Sequence, residues 1–331
     1  MWNRCRSILI ALACLAAQAC APVASAQSST GKPTYPNRTI RMVLPFPPGG
    51  ATDVMARKLG QKMSERWGQQ VVIDNRAGAG GNIAAEIVAK AVPDGYTLLF
   101  AASAQLAVNP ALYAKLPFDP VKSFAPISLV GAVPNILVAH PSLPVRSLKE
   151  FIAFARARPG QLNYATAGSG STAHLSAELL KIETGIDIVH VPYRGAAPAV
   201  TDVLGGQVPL MVVSTPSVIG HVKVGKLRAL GVTGARRSHA APDVPTFAET
   251  LPGFESSAWY GMLAPNGASP DIVARLHEET VNILRMADVK ELFAAQGIEI
   301  IGSTPSEFAS YIESELAKWA IVVRKSNAKV D

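Results

Sequence analysis

Two α/β lobes, each a mixed, mostly parallel sheet flanked by helices, are what the sequence predicts. Apolar runs of strand length alternate with segments of helical period along most of the chain. Of 331 residues, some 305 lie beyond an N-terminal leader of 26, which is more than one core comfortably holds. Two junctions of one kind, an apolar run ending in a glycine-rich turn that opens a helix, fall in different halves of the chain.

The leader has the three parts of a secretory signal peptide. Arg4 and Arg6 are its basic region, Ile8 to Ala19 its apolar stretch, and Ala24-Ser25-Ala26 its cleavage site, predicting export to the periplasm after cut at Ala26. The apolar stretch is too short for an anchor, and Ala17-Gln18-Ala19 ahead of Cys20 lacks the leucine usual before a lipidated cysteine. Cys5, Cys14 and Cys20 are the only cysteines, so the rest of the chain has no thiol for a disulfide, a thiolate metal site or cysteine catalysis. With two arginines and no acid in the leader, its removal takes the formal charge from +7 to +5. The remaining Lys and Arg are scattered, Arg236-Arg237 being the densest pair, which excludes a nucleic-acid footprint. No later apolar run reaches membrane length without Gly, Pro or a charge.

Beyond the leader, strand 39–45 ends in the turn Pro45-Phe-Pro-Pro-Gly-Gly50. Helix 52–66 follows, opened by Thr52 or Asp53, because Met55, Leu59, Met63 and Trp67 recur every fourth residue on one face. Strand 71–74, a second glycine-rich turn at 75–82, helix 81–91 and strand 97–101 complete a first alternation. Strands 127–131 and 135–139 precede helix 147–157, where Ser147 and Glu150 have capping-box spacing. Strand 162–166, helix 172–183, strand 188–191, helix 196–204 and strands 208–213 and 227–232 continue the pattern. After strand 257–264, Ser269-Pro270 starts helix 270–284, and helix 288–295 and strand 298–301 follow. Thr304-Pro305-Ser306-Glu307 then opens helix 305–324, whose Phe308, Tyr311, Ile312, Leu316, Trp319 and Val323 form a stripe facing a core.

A strand that delivers a small-residue turn to a helix N-terminus leaves unpaired backbone N–H groups at the positive end of the helix dipole, which suits an anion. The first such turn is Phe46 to Asp53, with Gly49, Gly50, Ala51 and Thr52. The second is Gly168-Ser169-Gly170-Ser171-Thr172, whose hydroxyls donate without a formal charge. Facing each other across a cleft, the two would hold a dicarboxylate or similar anion. The glycines also suit plain tight turns, Asp53 a first-turn acid, and Ser169, Ser171 and Thr172 helix caps. His174 reads equally as ligand contact or structural histidine, and His190 as structural.

Constellations for catalysis are missing from the sequence. Gly168-Ser-Gly-Ser-Thr-Ala173 fits a loose dinucleotide pattern, but Asp187 precedes the next strand instead of ending it. There is no glycine-x-serine-x-glycine elbow. The six histidines lack zinc-site spacing. The expectation is no cofactor, no metal and no enzyme.

A set of motifs spans the chain beyond the leader: Pro45-Phe-Pro-Pro-Gly-Gly50 with Asp53, Asn75-Arg-Ala-Gly-Ala-Gly-Gly81, Pro93-Asp-Gly-Tyr-Thr-Leu98, Asn109-Pro-Ala-Leu-Tyr113, Leu116-Pro-Phe-Asp-Pro120, His190-Val-Pro-Tyr-Arg-Gly195, Pro242-Asp-Val-Pro-Thr246 and Trp259-Tyr-Gly261. In this set and order the chain resembles the Bug family, periplasmic solute receptors of tripartite tricarboxylate transporters. The resemblance implies a two-lobed periplasmic-binding-protein ("Venus flytrap") fold and a ligand among di- or tricarboxylates, acidic amino acids and aromatic acids. It further implies delivery by a monomer to inner-membrane permease subunits, without catalysis. It puts the carboxylate grip on Phe46 to Asp53 and Gly168 to Thr172, with His174 beside them. Ala101-Ala-Ser103-Ala-Gln105 holds fewer donors than the family's turn there, and Ser214 follows a strand toward the cleft. The expected lobes are 27–126 with 233–331, and 127–232. An adaptor docking a membrane sensor kinase and a hydrolase remain as other readings.

Overall fold

The computed structural model describes residues 35–193 and 195–326; the expected leader, its three cysteines and Arg194 lie outside them. Pro36–Asp331 forms one unit. In chain order its first half holds β1 (Ile40–Leu44), α1 (Ala51–Trp67), β2 (Val71–Asn75), α2 (Asn82–Ala89), β3 (Thr97–Ala102), α3 (Asn109–Leu112), β4 (Phe124–Ala139), α4 (Leu148–Arg156) and β5 (Asn163–Thr166). There follow α5 (Thr172–Thr184), β6 (Val189–Pro192), α6 (Ala196–Leu204), β7 (Leu210–Ser214), α7 (Ile219–Lys223), β8 (Arg228–Val232), β9 (Ser257–Pro265), α8 (Pro270–Leu284), α9 (Ala287–Ala295), β10 (Glu299–Ile300) and α10 (Pro305–Ser326). The α/β alternation expected from periodicity is present.

The strands run in the order β2-β1-β3-β9-β4-β7-β5-β6, with β8 and β10 also on β4. Pairs β1–β2, β1–β3, β5–β6 and β5–β7 are parallel. Every pair made by β4, and that of β3 with β9, is antiparallel. Each sheet is therefore mixed, with its parallel part where strand–helix–strand crossovers feed it.

β4 is one strand where the sequence suggested two. The Gly131 and Pro134 that look like breaks sit within it. Bulges between Pro126 and Ser128 and between Leu129 and Gly131 absorb the irregularity, and a proline's missing donor is tolerated where pairing changes. That change is abrupt: up to Pro134 the strand pairs with β9, and from Asn135 it pairs with β7 and β8. The second crossing between the sheets follows Val232. Around both crossings Asn135, Ser176, Thr215, Thr233 and Ser256 are buried and bonded to one another or to the strands. Asn135 N–H donates to Thr233 Oγ1 (2.9 Å), Asn135 Nδ2 to Ser176 Oγ (3.0 Å) and Thr215 Oγ1 to the Pro134 carbonyl (2.9 Å).

Helix starts follow their local chemistry. Ser147 and Ser269 each accept from the residue three ahead, and Thr304 and Glu307 close a reciprocal capping box. α1 differs: Gly50 is its N-cap, without side-chain help, and Thr52 and Asp53 lie inside its first turn. In α10, Phe308 and Trp319 are fully buried. The Trp259 and Trp319 indoles both donate to Glu315 (2.8 and 2.9 Å), so the buried carboxylate of this stripe is satisfied. Absent from the expected elements were α7, α3 and the π-helical turn Ala104–Val108 running into α3; Pro110 hides the helical character of that stretch.

Candidate functional site

The turn after β5 holds the clearest anion-binding geometry. Gly168 and Gly170 take φ of +149° and +72°, conformations that side chains resist, so glycine is required there. Ser171 is the N-cap of α5 and its hydroxyl is spent locally, donating to the Gly168 carbonyl (2.7 Å) and accepting from His174 N–H (3.2 Å). The Gly170 N–H donates to His174 Nδ1 (3.1 Å). Among the described residues the N–H groups of Ser169, Thr172 and Ala173 have no intramolecular partner, nor do the hydroxyls of Ser169 and Thr172. Donors remain on the turn because its other donors are internally satisfied.

Beneath the turn lies a buried aromatic and ionic stack. The rings of His174 and His190 stack at 4.0 Å, and Tyr164 follows at 5.0 Å from His190. His190 Nε2 lies 2.7 Å from Thr166 Oγ1, which in turn contacts Gly168. Glu178 accepts from Tyr164 (2.8 Å) and Lys181 (3.0 Å) and stands 3.9 Å from His174 Nε2. Burial pushes the His174 imidazole below its usual range, with Lys181 helping and Glu178 opposing. Burial, then His174 and Lys181, push His190 down to about 4. Both rings are neutral at neutral pH, and His174 Nδ1 is free to accept the turn's N–H.

The facing wall is built from three segments. Asp53, 5% exposed, braces the first turn: its carboxylate accepts from Gly49 N–H (3.1 Å), Arg57 Nε (2.8 Å) and Asn75 Nδ2 (3.2 Å), and Asn75 Nδ2 also donates to the Phe46 carbonyl (2.9 Å). Burial alone would raise its carboxyl; the Arg57, Gly49 and Asn75 donors outweigh that and hold it below the usual carboxylate range. The turn before α2 packs against this loop: a Cβ on Gly81 would strike Gln105 and come within 2.6 Å of the Pro45 Cβ. Gln105 and Asn109 grip the Gly80 carbonyl (2.7 and 3.1 Å). Gln105 also accepts from Ala102 N–H (3.0 Å), which anchors the turn after β3. Ser103, 1% exposed, has no partner for its hydroxyl among the described residues.

Between these walls is a cavity of about 430 Å³, a normal size for a small-molecule site. Of the residues expected from sequence, Phe46, Ser103, Gly168, Ser169, Gly170, Ser171 and Thr172 line it. Gly49, Gly50, Ala51, Thr52 and Asp53 lie outside its wall, as do His174 and Ser214; Ser214 instead bonds Ser217 (2.9 Å). The wall also contains Gly80, Asn109, Tyr113 and, on β9, Ala258 and Tyr260. Burial pushes the Tyr260 phenol up to about 12, and its hydroxyl has no intramolecular partner among the described residues. Sequence alone offered the glycine-rich turn at 75–82 and the motifs Asn109-Pro-Ala-Leu-Tyr113 and Trp259-Tyr-Gly261, none of which says that Asn109, Tyr113 or Tyr260 meets a cavity. The described cavity wall carries no Lys, Arg, His, Asp or Glu. Among the described residues no three His, Cys, Asp or Glu gather as metal ligands.

Residues 55–328 match the family described as the tripartite tricarboxylate transporter family receptor. The chain is 44% identical to protein BugT of Bordetella pertussis over 90% of its own length and 92% of BugT. Among solved structures it is similar to R. palustris Rpa4515 with adipate (37% identity, TM-score 0.74, covering 89% of this chain and 100% of that one). It is likewise similar to the periplasmic binding protein BugD (34% identity, TM-score 0.70, 89% and 99%).

Proposed function

Since the chain belongs to the tripartite tricarboxylate transporter receptor family, we propose that it captures a small carboxylate in the 430 Å³ cavity and hands it to the permease subunits of such a transporter. One observation carries this reading: the start of α5 offers unpartnered N–H and hydroxyl donors to a cavity whose described wall contains no acid. A single helix terminus contributes only about 0.3–1 kcal/mol toward an anion. The grip therefore relies on several short donors in a water-poor site, from Ser169, Thr172 and the Ala173 N–H on one side and Ser103 and Tyr260 on the other. Phe46 closes the first turn over the cavity; Gly49 to Asp53 and His174 act from behind, holding loops in place. Adipate in a relative of 37% identity supports the ligand class.

The lobes we assign follow the sheets, so the first junction lies at Pro134/Asn135 in β4, where the strand changes partners, instead of at the expected 126/127, and the second stays after Val232. Periplasmic work fits relatives of that description; export by the leader, cleavage after Ala26 and action as a non-catalytic monomer belong to the same reading. Thermal-shift screening of the mature chain against a carboxylate library tests it, because a ligand that binds only the folded state raises Tm by mass action. A library that leaves Tm unmoved, with calorimetry equally silent, would overturn it.

A further inference from the structure

Among the described residues, the unspent donors of the cavity lie on the α5 turn and at three hydroxyls, those of Ser103, Tyr113 and Tyr260. The Asn109 amide is spent on Gly80 and Asn82, and most of the remaining wall is hydrocarbon. Ala102, Ala104, Val108, Leu112 and Ala258 face the cavity and present methyl groups. Ser103, Tyr113 and Tyr260 interrupt them with one hydroxyl each. Resting on the carboxylate reading above, we propose that this site selects carboxylates with an apolar body, alkyl or aryl, over polyhydroxylated acids of the same length.

The reasoning is one of desolvation. A carboxylate seated at Ser169, Thr172 and the Ala173 N–H exchanges its water for protein donors. Each hydroxyl on the body must then find a partner of its own, because a buried polar group without one loses its hydration uncompensated. Beyond the turn the wall offers three such partners, the hydroxyls of Ser103, Tyr113 and Tyr260. Gluconate carries five hydroxyls and galactarate four, more than those three can serve, so the surplus would face alanine, valine or leucine carbons. An alkyl chain has nothing to satisfy there and gains by leaving water. The turn after β3 sets this character: its glutamine is spent on Ala102 and Gly80, leaving Ser103 between two alanines. A hydrophobic wall discriminates modestly, by about 10- to 100-fold for added hydroxyls, and that is the selectivity expected.

Two matched pairs test this by calorimetry on the mature chain: hexanoate with gluconate, and adipate with galactarate. Within a pair the end groups are constant and the body differs in its hydroxyls. In every pair that binds, the unhydroxylated acid is expected to be the tighter by about 10- to 100-fold. Equal or tighter binding of the hydroxylated partner overturns the selectivity and leaves carboxylate capture standing. Silence from all four acids overturns this proposal, and the carboxylate library decides separately whether capture itself stands. Val108→Thr, an isosteric change that adds one hydroxyl to the wall, should narrow the ratio while leaving Tm of the unliganded protein within a few degrees; an unchanged ratio overturns the apolar wall as the source of the selectivity.

Discussion

At the residue scale, Thr172 and Ser103 separate binding from folding in opposite ways. Thr172 is the first residue of α5 and half-buried at the cavity. Thr172→Glu puts a negative charge where the ligand's charge should sit, yet an acid in a first helical turn is favourable to the helix. Affinity for any carboxylate should fall by about 100-fold or more through like-charge contact in a desolvated site, with Tm changed little; calorimetry and thermal denaturation check both halves. Ser103→Ala removes a buried hydroxyl that has no partner. Its loss should hold or raise Tm, since an unsatisfied buried donor is itself a cost. It should also weaken carboxylate binding by about 0.5–1.5 kcal/mol, the worth of one hydrogen bond. Loss of both stability and affinity would make Ser103 structural. Gly168–Thr172 was legible in the sequence because small and hydroxyl residues stand directly before a helical period. Tyr260 was not, since one residue of a nine-residue strand gives no sign of which face meets a cavity.

The element scale shows why His174 mattered and how. The sequence placed it one turn into α5 and left its role open; the fold puts it under the turn, accepting the Gly170 N–H, with His190 stacked against it. An imidazolium cannot accept that bond. Because folding depresses both imidazoles, the unfolded chain takes up protons first as pH falls below about 6.5. Stability from this stack is thus fully present above that pH and is lost progressively down to about 4, the value for His190. Denaturant melts of the wild type and His190→Gln across pH 4–7.5 check it, the stability of the variant relative to the wild type rising as pH falls. The π-helical turn Ala104–Val108 escaped sequence reading for a related reason. Its Gln105, fully buried, would look misplaced in an apolar run unless one knew that Gly80 and Ala102 needed its amide.

For the whole molecule, a second titration runs against the first. Glu299 in β10 pairs with Ala132 of β4 close to the crossing between sheets, and burial, reinforced by Glu255 and opposed by Arg236, pushes its carboxyl up to about 7. A raised carboxyl contributes stability below its unfolded value near 4.5 and loses it as pH rises through about 7. The two effects oppose each other over the same window, so the wild-type profile should be flat there. Glu299→Gln should unmask the histidine stack, with Tm climbing from pH 4 to 6.5 more steeply than in the wild type; parallel profiles would show Glu299 to be uninvolved. The α/β alternation was legible because it is written in period. The shared strand was not, because Gly131 and Pro134 carry the usual marks of a chain break. At the point where that strand changes partners, the buried groups are mostly hydroxyls, which turn about one bond and serve as donor or acceptor alike. A small relative rotation of the sheets would let each swivel to a new neighbour without stranding any of them, so the joint has the makings of a bearing with no preferred stop, and the bound acid, instead of the backbone, would decide where it rests.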